Sequence, residues 1–269
     1  MKPTTAVITL LLLLGLGYWS FEGSIPSAPP DADLEETAFS TDRAMEHVME
    51  VSKEPHAVGF PAHSKVRLHL MKTLKKLGLR PELQNAYISG DKGTVTRAIN
   101  VLARIPGTGS GKALLLLTHY DSQPHSSHGA SDAGSGVATI LEGLRAFLAS
   151  GKKPVNDIIV LFTDAEELGL NGAELFVNRH PWAGDVGLVL NFEARGSGGP
   201  SYMLIETNRG NQKMIEGFKE ANTEYPVANS LAYSIYKMLP NDTDLTVFRE
   251  DGDIEGFNFA FIDDHFDYH

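Results

Sequence analysis

The sequence predicts an α/β domain in which helices cover both faces of a mixed, mostly parallel sheet. From about residue 94 onward, segments with a strand pattern alternate with segments that repeat apolar residues at helical spacing. Two of the strand segments, 113–118 and 157–163, are nearly continuous apolar runs. Such runs are typical of strands buried on both faces, as in a parallel sheet between two helical layers.

The elements can be placed in order along the chain. In the helix expected over 64–77, apolar side chains recur at helical spacing. Gly78 follows the last of them, as expected of a glycine just past a helix end. Strands are expected over 94–104, 113–118, 157–163, 186–192, 201–206 and 256–262. Helices are expected over 44–52, 64–77, 136–149, 167–178, 211–221 and 242–249.

Composition narrows the classes of function. Of 269 residues, 42% are hydrophobic and 21% charged, which is ordinary for a domain that buries a core. A net charge of -11, from 23 basic and 34 acidic residues, argues against a nucleic-acid partner. The chain has no cysteine, so any metal site must use His, Asp and Glu.

The N-terminus predicts a membrane segment. Thr4–Phe21 is uncharged and strongly apolar, and it ends in Tyr and Trp, which favour the membrane interface. We interpret residues 1–22 as a signal-anchor helix, 23–40 as a linker rich in Pro and acid, and 41–269 as the folded domain. Lys2 on the short side places this domain outside the cytoplasm. The alternative is a cleaved signal peptide and a secreted or periplasmic protein.

His and carboxylate residues follow the predicted strands where those strands end. In α/β sheets, ligands bind beyond the carboxyl ends of the strands, so these side chains are expected to converge. Carboxylates gathered without a cationic partner favour a divalent metal, and imidazole with carboxylate suits zinc, manganese or cobalt. The residues are His119 and Asp121, Glu166 and Glu167, Glu193, His265 and His269, together with Asp132 from the loop after 113–118.

Each of these features alone has a simpler explanation. A His at a strand end is more often a hydrogen-bonded structural residue than a metal ligand. An adjacent Glu pair is usually a solvated helix start, because acids favour helix N-termini. The segment 129–136 (GASDAGSG) lacks the Lys of a phosphate-binding loop.

Taken together, the motifs resemble a known family. The segments THYDS, GASDAGSGVATILEGLRAF, VLFTDAEELGLNGAELFV, LVLNFEARGSGG, LPNDTDLTVF and DYH follow in order over roughly residues 41–269. They are similar to those of the two-zinc exopeptidases that include bacterial leucyl aminopeptidases, glutamate carboxypeptidase II and the endoplasmic-reticulum metallopeptidase. The N-terminal apolar segment resembles the membrane-bound branch of that family.

The resemblance implies the role of each residue. Asp132 would bridge two zinc ions, with His119 and Glu193 completing one site and Glu167 and His269 the other. Glu166 would stay off the metals and act as general base. Asp121 would accept the His119 ring N–H. The peptide bond between Asp132 and Ala133 would be cis.

Several alternatives stay open. His265 competes with His269 for the last ligand position, which the resemblance assigns to the His of a Tyr-His pair. Relatives continue beyond this His, so the chain is expected to be a fragment or to have its site completed by something else. Substrate contacts are considered for Tyr233, Tyr236, Asn241 and Asp244.

The expected activity is zinc-dependent hydrolysis of terminal peptide bonds in a peptide or dipeptide substrate, with an aminopeptidase favoured over a carboxypeptidase. The alternatives are a glutaminyl-cyclase-like acyltransferase on the same scaffold and a non-catalytic receptor-like ectodomain. The sequence gives no oligomeric state.

Overall fold

The computed structural model describes residues 3–22, 34–89, 95–221, 223, 234, 236–238, 242–264 and 266–267. The chain divides into two units, Met1–Pro30 and Asp31–His269. The first contains α1 (Pro3–Glu22), a 20-residue helix without a buried residue. It is long and apolar enough to cross a bilayer, a test that a signal sequence also passes.

The second unit is built on a seven-stranded sheet in the order β1-β2-β4-β3-β5-β7-β6. The four strands β4, β3, β5 and β7 pair in parallel, while β1, β2 and β6 are added by antiparallel pairing at the two edges. The predicted mixed sheet is therefore confirmed, with its parallel pairings in the centre and its antiparallel pairings toward the edges. The strands are β1 Glu82–Ser89, β2 Val95–Ile105, β3 Ala113–His119, β4 Ile158–Thr163, β5 Val186–Ala194, β6 Gly198–Glu206 and β7 Gly256–Asp263.

Helices cover both faces of this sheet, because successive strand residues point to opposite sides. Leu115 and Leu117 of β3 join one cluster with α5 and α7, and Leu116 between them packs into the other cluster with α2, α3 and α4. The helices are α2 Thr41–Val51, α3 Pro61–Lys76, α4 Gly134–Ala149, α5 Asn171–Arg179, α6 Gln212–Glu220 and α7 Asp244–Glu250, with a 3-10 turn at Pro181–Asp185.

Two elements differ from the sequence prediction. Strand β1 was not predicted, because it lies at the edge of the sheet and only Ile88 of its eight residues is buried. The helix expected over 167–178 begins only at Asn171. Ala165 and Leu170 have φ of 59°, a left-handed conformation that interrupts a helix, so Glu167 lies in a turn.

The segment just before α2 is held against α4. Glu142 of α4 is buried and accepts hydrogen bonds from the Ser40 N–H at 2.9 Å and from Arg43 Nε at 3.0 Å. Arg145 Nη2 donates to the Ala38 carbonyl at 2.8 Å. Residues 38–40, expected to belong to the linker, therefore contact the folded domain.

Candidate active site

The candidate site is centred on His119, the last residue of β3. In the parallel pairing of β3 with β4, His119 lies opposite Thr163, so the chain leaves both strands at the same level. His119 is fully buried, and its Nε2 lies 2.7 Å from Asp132 Oδ1 and 3.8 Å from Glu193 Oε2. Ligand atoms of these three residues all lie within 4.8 Å of one another.

Asp132 reaches His119 because the N-terminus of α4 packs closely on the strand ends. A Cβ at Gly136 would lie 2.4 Å from Thr118 Oγ1 and 2.5 Å from the Phe192 carbonyl oxygen, so only glycine permits this approach. Asp132 lies two residues before the helix begins at Gly134. The peptide bond between Asp132 and Ala133 is cis, which confirms the prediction.

Glu193 is delivered by β5, the strand next to β3 on the side away from β4. It is the penultimate residue of the strand and is 6% exposed. Its Oε1 accepts a hydrogen bond of 3.4 Å from Asn191 Nδ2, and Asn191 in turn donates to Asn258 Oδ1 of β7 at 2.9 Å. The amides of Asn191 and Asn258 thus hold the Glu193 carboxylate from the β7 side of β5.

Glu166 and Glu167 lie in the turn that follows β4, which we call the β4 loop (residues 164–170). One ligand atom from each lies within 4.8 Å of the others and of His119, so His119 belongs to two possible metal-ligand groups. Both glutamates are partly exposed. Their backbone N–H groups donate to the Asp121 carboxylate at 3.1 and 3.3 Å, which ties the β4 loop to the segment after β3.

Asp121 lies beside the His119 ring, and its backbone carbonyl is the nearer of its acceptors. The backbone carbonyl of Asp121 lies 3.0 Å from His119 Nδ1, while its carboxylate oxygen lies at 3.5 Å. The carbonyl is the better acceptor at these distances. The Asp121 carboxylate instead accepts from the two N–H groups of the β4 loop. The sequence shows that Asp121 is near His119 but not which of its oxygens the ring meets.

The electrostatics reflect carboxylates buried together. Although Glu166 is partly exposed as a residue, burial of its carboxyl group, reinforced by Glu193 and Asp244, raises its pKa well above the usual range. Burial and Asp132 raise the pKa of Glu193 to about 8. Burial by itself would lower the pKa of His119, but Glu166 and Asp132 outweigh it and raise that pKa well above its ordinary value.

A further buried carboxylate, Asp244, lies at the start of α7. It is fully buried, and its Oδ2 accepts a hydrogen bond from Thr163 Oγ1 at the end of β4. Its other oxygen, Oδ1, has no hydrogen-bond partner among the described residues. Burial raises its pKa to about 7. Asp244, considered from the sequence only as a substrate contact, belongs to the buried acidic surroundings of His119.

These residues fit a divalent cation. Among the described residues, neither Lys nor Arg forms an ion pair with Glu166, Glu193 or Asp244, although all three are carboxylates with raised pKa values. Clustered carboxylates and one imidazole are a ligand set for zinc, manganese or cobalt, and a bound dication would restore their ionised form. Glu167 joins the second group, beside Glu166.

Other sequence candidates cannot be placed in this geometry. His269, His265, Tyr233 and Asn241 lie outside the described residues. Tyr236 is described, and burial together with neighbouring Glu206 raises its pKa. Of the two possible metal-ligand groups among the described residues, the group of His119, Asp132 and Glu193 is the more buried.

The chain is similar to membrane proteases. It is 31% identical over 268 residues to the vacuolar membrane protease of Candida albicans, an alignment that spans 98% of this chain and 31% of that relative. It is 30% identical over 285 residues to the putative endoplasmic reticulum metallopeptidase 1-B of Caenorhabditis elegans, across 96% of this chain and 31% of that relative. The chain thus spans about a third of the length of these relatives.

Solved structures share the fold. A Zn-dependent exopeptidase from Parabacteroides distasonis superposes with a TM-score of 0.67, at 22% identity over 87% of this chain and 85% of that one. A glutaminyl cyclase from Tannerella forsythia superposes with a TM-score of 0.66, at 20% identity over 83% of this chain and 84% of that one. At these identities the likeness establishes the architecture alone.

The family follows from the sequence match. Residues 100–269, which include β3, β4, β5 and the residues around His119, match peptidase family M28. This confirms the resemblance deduced from the motifs. The chain belongs to peptidase family M28.

Proposed function

We propose that this chain carries the catalytic domain of a membrane-anchored, zinc-dependent exopeptidase that hydrolyses terminal peptide bonds, with an aminopeptidase favoured. The observation that supports this most directly is the convergence of His119, Asp132 and Glu193 on one point at the carboxyl edge of the sheet. Two carboxylates buried this close together are costly unless positive charge offsets them. Membership of a peptidase family makes hydrolysis of a peptide the natural use of that cation.

His119, Asp132 and Glu193 would hold one zinc ion. By the family resemblance, Glu167 with Asp132 and His269 would hold a second. When bound, zinc supplies Lewis acidity, which lowers the pKa of water and polarises a peptide carbonyl. Glu166 takes a proton from the attacking water and returns it to the leaving amine. Burial raises the pKa of Glu166 above the ordinary carboxyl range, which is the direction that strengthens a base.

A glutaminyl cyclase is the second candidate. Glutaminyl cyclases share the fold, and of the two possible ligand groups only that of His119, Asp132 and Glu193 is buried at all three described residues. A single metal ion would fit a cyclase, whereas the peptidase proposal requires two. A receptor-like ectodomain is disfavoured, because every matching ligand position carries a competent side chain.

The decisive experiment is a substrate panel on the full chain, with and without a chelator. Release of a free amino acid from aminoacyl or acidic-dipeptide substrates, abolished by chelator and restored by zinc, would support the exopeptidase. Cyclisation of N-terminal glutamine with one zinc per chain would support the cyclase instead. Metal-loaded protein that performs neither reaction would exclude both proposals.

The membrane location is proposed on the same basis. The apolar helix α1 and the similarity to vacuolar and endoplasmic reticulum membrane proteases support an N-terminal anchor with the catalytic domain on the non-cytoplasmic side. Protease protection in sealed microsomes tests the orientation. A domain digested from outside intact microsomes would contradict it.

A further inference from the structure

We propose that His63 of α3 is a positioning residue that holds the two segments bearing His119 and Glu166–Glu167 in register. This inference rests on the proposed function, because it assigns His63 to the support of the same metal site. His63 lies before residue 100, outside the part of the chain that matches the family. It was not among the candidate residues found from the sequence.

The first contact of His63 is with the β4 loop. Its Nε2–H donates to Asp164 Oδ1 at 2.7 Å, with His63 5% exposed and Asp164 fully buried. Asp164 is two residues before Glu166. Its other oxygen, Oδ2, accepts from the Ile99 N–H at 2.8 Å, so both carboxylate oxygens have a donor. The hydrogen bond to His63 therefore fixes the orientation of the residue from which the β4 loop begins.

The second contact of His63 is with the segment after β3. Its ring stacks on Tyr120, with centroids 5.0 Å apart and planes 11° from parallel. Tyr120 directly follows His119, and its hydroxyl donates to the Ile99 carbonyl at 2.8 Å. Ile99 thus accepts from Tyr120 through its carbonyl and donates to Asp164 through its N–H. One imidazole and one strand residue link the two segments that carry candidate ligands.

The β4 loop needs this support because its own backbone is not helical. Ala165 has a φ of 59°, and the helix starts only at Asn171. On the far side of Ala165, the N–H groups of Glu166 and Glu167 donate to the Asp121 carboxylate. The loop is therefore held by His63 through Asp164 on one side and by Asp121 on the other. Releasing one side would let the two glutamates move relative to His119.

The competing explanation is that His63 contributes to folding alone. Buried His–Asp pairs commonly stabilise proteins without acting on a site, and His63 is one of the buried residues of α3. The two explanations differ in metal affinity, because loss of a group that orients a ligand typically costs 10–100-fold in affinity or activity. A purely structural residue would lower stability and leave the affinity of the folded protein unchanged.

Two substitutions separate the contacts of His63. His63→Phe keeps an aromatic ring against Tyr120 and removes the donor to Asp164. His63→Gln loses the ring but places an amide N–H where Nε2 lies. The matched control is His180→Phe, because His180 also stacks on an aromatic ring, that of Phe176, and accepts from a backbone N–H, that of Trp182.

The experiment measures zinc affinity by chelator competition, the visible absorption spectrum of the Co²⁺-loaded chain, and the free energy of unfolding of the metal-free chain. We expect His63→Phe to lose about 10–100-fold in zinc affinity and to change the Co²⁺ spectrum. His63→Gln should retain most of the affinity. His180→Phe should lose stability but keep the affinity and spectrum of the wild-type chain.

Loss of stability in His63→Phe with wild-type affinity and spectrum would overturn the inference. If His63→Phe does not fold, Asp164→Asn removes the charged acceptor at constant size, and unchanged affinity in that variant would overturn it equally. These outcomes can be told apart from a failure of the proposed function. Wild-type protein that binds zinc but cleaves no terminal peptide bond would refute the exopeptidase and leave the metal-affinity test of His63 intact.

Discussion

Glu142 of α4 and Glu193 of β5 are both buried carboxylates, yet their surroundings are opposite. Glu142 accepts hydrogen bonds from Arg43, Arg145 and the Ser40 N–H. Burial raises its pKa, but these donors outweigh burial, and the net pKa lies below the usual range. Glu193 has no such cation among the described residues, and burial raises its pKa to about 8.

Glu206 of β6 follows the pattern of Glu142. It is buried and pairs with Arg249 Nε at 2.6 Å and with Lys237 Nζ at 2.9 Å. For Glu142 and Glu206 the fold supplies Arg or Lys from the same chain. Around His119 it supplies none to Glu166, Glu193 or Asp244 within the described residues. The difference supports the proposed metal ion as the group that neutralises the carboxylates around His119.

The largest expected effect on activity comes from Glu166, the proposed base, which is one of the carboxylates around His119 that pair with no Lys or Arg among the described residues. Glu166→Gln should lower turnover by about 10²–10⁴-fold, because the amide cannot accept the proton of the attacking water. Zinc content should be unchanged, since Glu166 is not a proposed ligand. Steady-state kinetics with elemental analysis check this. Full activity in Glu166→Gln would remove Glu166 from the role of base.

The same isosteric change should have opposite effects in the two regions. Glu142→Gln should lower the free energy of unfolding by about 1–3 kcal/mol, because two Arg side chains lose their charged acceptor. Glu193→Gln in the metal-free protein should be neutral or stabilising, because it removes a buried carboxylate that no Lys or Arg pairs with among the described residues. Urea denaturation of both variants measures this. A destabilisation of similar size in Glu142→Gln and Glu193→Gln would contradict the difference drawn between the two carboxylates.

The pH dependence of stability should also distinguish the site carboxylates. With pKa values of about 8 for Glu193 and about 7 for Asp244, the metal-free native state holds more protons than the unfolded state above the ordinary carboxyl pKa. The free energy of unfolding should therefore fall as pH rises from about 5 to about 8, by up to about 1.4 kcal/mol per pH unit for each titrating group. Saturating zinc should flatten this slope.

Asp244→Asn provides the control for that measurement. It should reduce the slope in the metal-free protein, because Asp244 then no longer titrates. Glu142 contributes in the opposite sense, since its lowered pKa gives stability that is lost as pH falls below the ordinary carboxyl range. A metal-free protein whose stability rises steadily from pH 5 to pH 8 would contradict the raised pKa values.

The smallest effect on stability is expected from shortening the chain at its N-terminus. This change tests the contacts of Glu142 with the segment before α2. Deleting residues 1–33 should leave the stability of the domain nearly unchanged. Deleting residues 1–40 should cost about 1 kcal/mol more, because it removes Ser40, whose side chain caps α2 and whose N–H bonds Glu142. Thermal denaturation of the two shortened chains compares them. Equal stability of the two shortened chains would show that residues 34–40 act only as a linker.

Much of the fold could be predicted because local patterns are strong in a buried parallel sheet. The apolar runs of β3, β4 and β5 marked the central strands, and Gly78, with a φ of 82°, marked the end of α3. The edge strand β1 escaped prediction because most of its side chains are partly or fully exposed, which leaves a weak pattern. The late start of α5 was not predicted, because Ala165 and Leu170 adopt a left-handed conformation that is uncommon for Ala and Leu.

By itself, the sequence determined which chemistry was available. Without cysteine, and with His or carboxylate after each central strand, it allowed a metal site of imidazole and carboxylate at one edge of the sheet. Only the tertiary structure decided which partners each group meets, because Arg43 and Glu142 are 99 positions apart and His63 and Asp164 are 101 apart. Contacts over such separations depend on how helices pack on the sheet, which no local pattern encodes. That packing gives Glu142 its arginines and leaves Glu193 beside His119 without one.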